Sequence, residues 1–273
     1  MKLLFICIAL CLINSLCVAD SKNEIDMKAK YDTFKGTKSE VKIYFIGHAS
    51  LMIENNGKVY HIDPWSKMAD YSNLPKADVI FVTHEHFDHY DKDLMKQLLK
   101  ENTKIITTAT VAEDFGKFPA VTVLANGDTA LEGDVKVEAV PAYNIVHKHE
   151  EGPYHPKGRG NGYLLSIDDL RIYIAGDTEN VPELKSLNDI DVAFLPLNLP
   201  YTMDKEMFED LANSIKAKYL YPYHYSGMEQ KVIDTVNVPD SIVRIRKFEK
   251  EQKWKLTSLQ YESDYVSFLD LVD

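Results

Sequence analysis

Residues Thr83-His84-Glu85-His86-Phe87-Asp88-His89 constrain this chain more than any other segment, because they follow directly on Asp78 to Thr83, a short run rich in β-branched residues. Such a run predicts a buried strand, so three imidazoles and a carboxylate sit together at a strand's end. In extended backbone His84 and His86 share a side and can grip one cation, while the next turn presents Asp88 and His89 to a second. A lone histidine there would read as part of a solvated loop. This density of nitrogen and oxygen donors instead fits a two-metal hydrolytic site, where a shared water is activated near neutral pH. A chain carrying it has to fold around a buried strand with an open end.

The remaining pattern is α/β. Strand-like runs occur at 41–46, 51–53, 58–63, 104–107, 120–124, 135–140, 163–167, 171–175 and 191–195, with Asn56-Gly57 marking a tight hairpin. Helical spacing appears at 92–101 after Asp91, a good N-cap, and at 109–115, 182–187, 204–216 and 229–236. Residues 20–38 read as an exposed polar lead-in, and 251–273 carry no clear pattern. No Pro/Gly/Ser-rich linker divides the chain, so 20–273 is expected to form a single domain. With 45% hydrophobic and 27% charged residues the chain is globular, and a net charge of −11 makes it a poor nonspecific binder of nucleic acid.

Cys7, Cys11 and Cys17 all lie in the first seventeen residues, in a segment with Lys2, an apolar run from Leu3 to Ile13, and small residues around Val18. This predicts a signal peptide over residues 1–19, hence a secreted or periplasmic protein. The run falls short of the ~20 apolar residues of a spanning helix, so no stable membrane anchor is expected after cleavage. Leu10 and Leu16 stand where a bacterial lipoprotein signal wants a small residue. The processed chain has no cysteine and loses only Lys2 among charged residues, moving the formal charge from −11 to −12. Thiolate nucleophiles, thiolate ligands and disulfides are thereby excluded for it.

His84-x-His86-x-Asp88-His89 matches the H-x-H-x-D-H signature of the metallo-β-lactamase superfamily, and the chain resembles that family over about residues 41–226. Phe45-Ile46-Gly47-His48-Ala49-Ser50, Asp63-Pro64, Ala175-Gly176-Asp177-Thr178 and Pro222-Tyr223-His224-Tyr225 stand in the order of the branch holding ascorbate-phosphate lactonase and N-acylphosphatidylethanolamine phospholipase D. The resemblance implies a four-layer αβ/βα sandwich with metals at one edge. It also implies that His84 and His86 bind a first metal, that Asp88, His89 and His224 bind a second, and that Asp177 bridges them. Two Zn²⁺ ions suit imidazole and carboxylate best, with Mn²⁺ or Fe tolerated.

One departure stands out. The family's third histidine on the first metal comes from the end of a strand like 135–140, where this chain reads Pro141-Ala142-Tyr143-Asn144. Three histidines follow in the loop. His155 is expected to complete the first site or to contact substrate, with His147 and His149 facing solvent; the alternative is that Asn144 or water fills the place.

Further residues have supporting roles. His48 and Asp63, at strand ends, are expected to orient ligands through hydrogen bonds, and His61 to be packed within its strand. Tyr201 is a candidate donor to a developing oxyanion, Asp88 orients the attacking water, and Lys157 and Arg159 could meet an anionic group or simply be solvated. The expected function is an exported hydrolase acting on an ester, lactone, amide or phosphodiester bond of a small molecule. The alternatives are a β-lactam-hydrolysing enzyme and a non-catalytic metal- or ligand-binding protein. The sequence indicates no oligomeric state.

Overall fold

The computed structural model describes residues 31–115, 120–225 and 230–245. The expected signal segment and the unpatterned stretch 251–273 lie outside the described residues. The first sheet runs in chain order through β1 (Tyr31–Lys35), β2 (Glu40–Gly47), β3 (Ser50–Asn55), β4 (Lys58–Ile62), β5 (Val79–Phe81), β6 (Lys104–Thr107) and β7 (Val121–Val123). It is antiparallel from β1 to β4 and parallel from β4 to β7. Then come β8 (Thr129–Glu132), β9 (Val135–Ala142), the small pair β10 (Lys148–His149) and β11 (Gly152–Pro153), β12 (Gly160–Ile167), β13 (Leu170–Ile174), β14 (Val192–Pro196), β15 (Tyr219–Tyr223) and β16 (Ile242–Val243). The second sheet has the order β16-β15-β14-β13-β12-β9-β8.

Alternation along the strands builds the layers. Val79 and Phe81 of β5 face a core shared by both sheets, together with Ile172 and Ile174 of β13 and Val192 and Phe194 of β14. Their neighbours point outward, because successive side chains leave opposite faces. Ile80 and Val82 meet Leu94, Met95 and Leu98 of helix α1 (Lys92–Leu98) and Val111 of α2 (Ala109–Ala112). Ala193 and Leu195 meet Phe208, Leu211 and Ile215 of α3 (Lys205–Ile215) and Ile233 of α4 (Gln230–Ile233). Helices thus cover both outer faces, which is the expected four-layer αβ/βα sandwich.

Local chemistry fixes the boundaries. Asn56 and Gly57 take φ of 49° and 74°, the left-handed pair a tight hairpin needs between β3 and β4. Asp91 and Asp204 cap α1 and α3 by accepting from the N–H groups of Leu94 and Met207. Helix α3 is too short to be stable alone. Complete burial of Phe208 and Leu211, at about 1.5–3 kcal/mol each, holds it down.

Of the edge strands, β1, β8 and the two-residue β16 were not legible. Tyr31–Lys35 was expected in an exposed lead-in but pairs with β2, burying only Phe34. Thr129–Glu132 pairs with β9 and buries none of its residues fully. Edge strands of this kind show no apolar alternation for sequence reading to detect. At the other extreme, the carboxyl ends of β4, β5, β13, β14 and β15 lead within three residues to Asp63, His84, Asp177, Asn198 and His224. That edge carries the chemistry.

Candidate metal centre

Two groups of donors converge at this edge, one containing His84 and the other His89, and a third made of His84, His89 and Asp177 links them. His84, His86 and His155 bring one ring nitrogen each within 4.8 Å of one another; His48, Asp88, His89 and His224, and likewise His84, His89 and Asp177, bring ring nitrogens and carboxylate oxygens as close. Asp177 stands at the centre. Its Oδ2 lies 3.2 Å from His155 Nε2, 3.2 Å from His224 Nε2 and 3.9 Å from His84 Nε2, and its Oδ1 lies 3.4 Å from His89 Nε2. Gly176, at φ 65°, allows that approach: a Cβ there would meet the Asn161 carbonyl at 2.9 Å.

The imidazoles are aimed from behind. Asp63 accepts from the Thr83 N–H (2.8 Å) and hydroxyl (2.7 Å), and its Oδ2 lies 2.8 Å from His89 Nδ1. With the Thr83 proton on Asp63, the His84 ring donates from Nδ1 to Thr83 Oγ1 at 3.0 Å, leaving its Nε2 a lone pair. His48 Nε2 holds Asp88 Oδ2 at 2.8 Å, and the Asn198 amide contacts His224 Nδ1 at 3.1 Å. Asn144 holds His155 Nδ1 at 2.6 Å. Such partners fix ligand orientation in metal sites. Three residues of the centre carry backbone strain: His48, Asp63 and His224 have φ of 53°, 43° and 53°, and strain of this kind gathers at functional sites.

The donor set fits cations. His84 Nε2, His155 Nε2 and Asp177 Oδ1 are buried with no hydrogen-bond partner, an expensive state that a bound cation relieves. Burial pushes His84 well below its ordinary pKa, with His89 and His86 adding to the effect, and brings His86 and His48 to about 4. Neutral imidazole is the ligating form. Burial alone would raise Asp88 and Asp177, but His89, His224 and their neighbours outweigh it and hold both carboxyls well below the usual range. Against burial, Asp177 and the other carboxylates push His89 up and His224 up to about 9. Protons therefore gather where cations would bind, and metal loading releases them.

The structure thus gathers His84, His86, Asp88, His89, His155, Asp177 and His224. His48 and Asp63 occupy the orienting places expected of them. His61 is fully buried in β4, with Nε2 2.9 Å from the Pro75 carbonyl. Of the loop histidines, His149 is exposed as expected, but His147 is not simply solvent-facing: its Nδ1 lies 2.8 Å from the buried Glu179. Asn144, the alternative occupant of the third position, stands behind His155 instead. Tyr201 packs its ring edge-on against Tyr154, with centroids 5.0 Å apart, and its carbonyl accepts from Asn144 at 2.9 Å. Lys157 pairs with Glu183 at 2.6 Å, and Arg159 pairs with Glu85. Glu179 and Asn198 escaped sequence reading, since neither lies in a spacing that marks a ligand.

A family profile for the beta-lactamase superfamily domain matches residues 42–224. A Thermococcus kodakarensis protein named a UPF0173 metal-dependent hydrolase is 32% identical over 197 residues, covering 68% of this chain and 85% of the relative. A Nanoarchaeum equitans protein of the same family name is 29% identical over 189 residues, covering 68% and 84%. The solved structure of a candidate metal-dependent hydrolase from Parabacteroides distasonis is 43% identical, with a TM-score of 0.75, covering 81% of this chain and 99% of that one. The metallo-beta-lactamase fold protein YhfI from Bacillus subtilis, 14% identical with a TM-score of 0.60 over 77% of this chain and 97% of its own, shares the fold. The assignment these matches support is to the superfamily and not to its lactonase and phospholipase D branch. With its metallo-β-lactamase fold, its H-x-H-x-D-H strand end and these relatives, the chain belongs to the beta-lactamase superfamily and, within it, to the UPF0173 metal-dependent hydrolases.

Proposed function

We propose that the protein is an exported hydrolase that holds two divalent cations, zinc by the chemistry of its donors, and cleaves an ester, lactone, amide or phosphodiester bond in a small molecule. The observation that carries this reading is the convergence of six His and Asp side chains around Asp177, with buried nitrogens of His84 and His155 that have no hydrogen-bond partner. His84, His86 and His155 would hold one ion, Asp88, His89 and His224 the other, and Asp177 both. A cation pair supplies a water of lowered pKa and neutralises charge on the attacked centre. Asp88, steadied by His48, would orient that water. Tyr201, on the rim, is the candidate donor to the developing oxyanion.

The rim argues for the substrate's character. Phe87, Ile145, Val146 and Leu199 are among the exposed large apolar residues, and each adjoins a segment that builds the site. Lys157 and Arg159 are already matched to carboxylates. A neutral substrate with an apolar group beside the scissile bond suits such a rim better than a strongly anionic one. Export rests on the amino-terminal segment, and sequencing the amino terminus of protein recovered outside the cytoplasm tests it, with Asp20 as the expected first residue.

The activity test loads chelated protein with Zn²⁺, Mn²⁺ or Fe²⁺ and assays lactone, amide, phosphodiester and β-lactam panels. Two bound ions with turnover of at least one class is the expected result. Tight metal and ligand binding without turnover of any class would replace this reading with a binding protein.

A further inference from the structure

His155 reaches the cluster from a loop, not from the strand end that usually supplies this position, so something must fix its ring. Asn144 does so, and Glu179 stands behind Asn144. Glu179 is buried, and its carboxylate accepts from the N–H groups of Ile145 (2.6 Å), Val146 (2.7 Å) and His147 (2.6 Å) and from Asn144 Nδ2 (3.1 Å). A carboxylate so filled pins the whole turn from 144 to 147. Asn144 Nδ2 spends its other hydrogen on the Tyr201 carbonyl at 2.9 Å. With both amide hydrogens committed to acceptors, the amide cannot be turned over without setting oxygen against oxygen. Its Oδ1 must therefore face His155, where it accepts from the backbone N–H at 2.9 Å and meets Nδ1 at 2.6 Å.

An amide oxygen carries no hydrogen, so His155 Nδ1 has to be the donor. In the neutral ring, the form that ligates, Nε2 then carries no proton; it is the buried, unpartnered nitrogen 3.2 Å from Asp177 Oδ2. From this geometry we infer that Glu179 and Asn144 form a positioning relay that sets the tautomer and direction of His155, replacing the rigidity of a strand end with a buried carboxylate and an amide that can point only one way. The inference rests on the proposed two-metal reading and assigns to Glu179 and Asn144 the support of its first ion.

Equilibrium dialysis against Zn²⁺, with Co²⁺ absorption spectra of the same proteins, tests the relay on full-length wild type, Asn144→Ala, His155→Ala and the double variant. The wild type is expected to bind two ions. Asn144→Ala should weaken one of them about 10–100-fold, the usual cost of losing a partner behind a ligand, alter the Co²⁺ spectrum as His155→Ala does, and leave the other ion in place. The double variant should bind no worse than His155→Ala alone, because residues acting through one another are not additive; a generally loosened fold would give additive losses. Glu179→Gln keeps the side chain's size but sets an NH2 against N–H groups that the carboxylate accepts from, so it should loosen the turn and weaken the same ion, which covers the case of an Asn144→Ala protein that does not fold. Wild type with two ions and variants of unchanged affinity, or additive losses, overturns the relay alone. A wild type that binds no metal overturns the relay and the two-metal reading together.

Discussion

Asp63→Asn tests the logic of the centre with the smallest change of shape. Asp63 Oδ1 accepts from the Thr83 N–H at 2.8 Å, and Oδ2 serves the Thr83 hydroxyl at 2.7 Å and His89 Nδ1 at 2.8 Å. An asparagine has one acceptor oxygen, and the backbone N–H of Thr83 cannot turn away, so the amide nitrogen must face the hydroxyl and the imidazole. His89 Nδ1 then becomes an acceptor and its proton moves to Nε2, the atom 3.4 Å from Asp177 Oδ1 and 3.0 Å from His224 Nε2. That nitrogen can no longer ligate. The second ion should bind about 10–100-fold more weakly, or about 1.4–2.7 kcal/mol. The metal-free fold should lose only about 1–2 kcal/mol, since hydrogen bonds to a charged group are exchanged for neutral ones, and asparagine accepts the φ of 43° at this position. Titration calorimetry of chelated protein with Zn²⁺, alongside urea unfolding, reads both quantities. Two ions bound with wild-type affinity, or loss of the ion held by His84 and His86 instead, would refute the argument.

Other outcomes follow from single features. Burial lowers His61 from its ordinary 6.5 to about 4; the unfolded chain therefore takes up this proton first, and stability falls as pH drops from about 6.5 to about 4, by on the order of 3 kcal/mol. His61→Gln, which can still donate to the Pro75 carbonyl, should flatten that part of the urea-midpoint profile, and an unchanged profile would count against the assignment. In Gly162→Ala the new Cβ would meet the Ala175 carbonyl at 2.7 Å and the Ile174 carbonyl at 3.1 Å, so overpacking should cost about 1–3 kcal/mol in thermal unfolding. Lys157→Ala and Arg159→Ala should leave KM for a neutral substrate unchanged; a selective rise in KM for anionic substrates alone would restore these two cations as substrate contacts.

The centre was legible where its chemistry is contiguous in sequence. His84 to His89 announce themselves because a strand end cannot carry so many donors by accident of packing, and the Gly176-Asp177 turn adds a second fixed point. His155 was legible only as one of several choices, because a loop histidine has no spacing that distinguishes it from His147 or His149. What decides among them is Asn144, eleven residues earlier, and that contact exists only after β9 and β12 pair and bring Asn144 N–H to the His155 carbonyl at 2.9 Å. Glu179 was invisible for the same reason: a glutamate two residues after a ligand reads as surface until the fold closes a turn over it. The layered core was legible from continuous apolar runs such as those of β5 and β14, whereas β1 and β8 bury too little to show a pattern.

The division of donors between the sheets reaches beyond chemistry. His84, His86, Asp88 and His89 come from loops of the first sheet, while His155, Asp177 and His224 come from the second. Either ion would therefore be a clasp across the sandwich, adding to the shared apolar core and to polar ties such as the Tyr163 hydroxyl on the Val82 carbonyl and the Arg244–Asp32 ion pair. Free metal at about a hundred times the dissociation constant adds about 2.7 kcal/mol per independent site to folding stability. The metal supply of the compartment would then set how long the protein survives there, and scarcity would open the sandwich first at the edge where catalysis takes place.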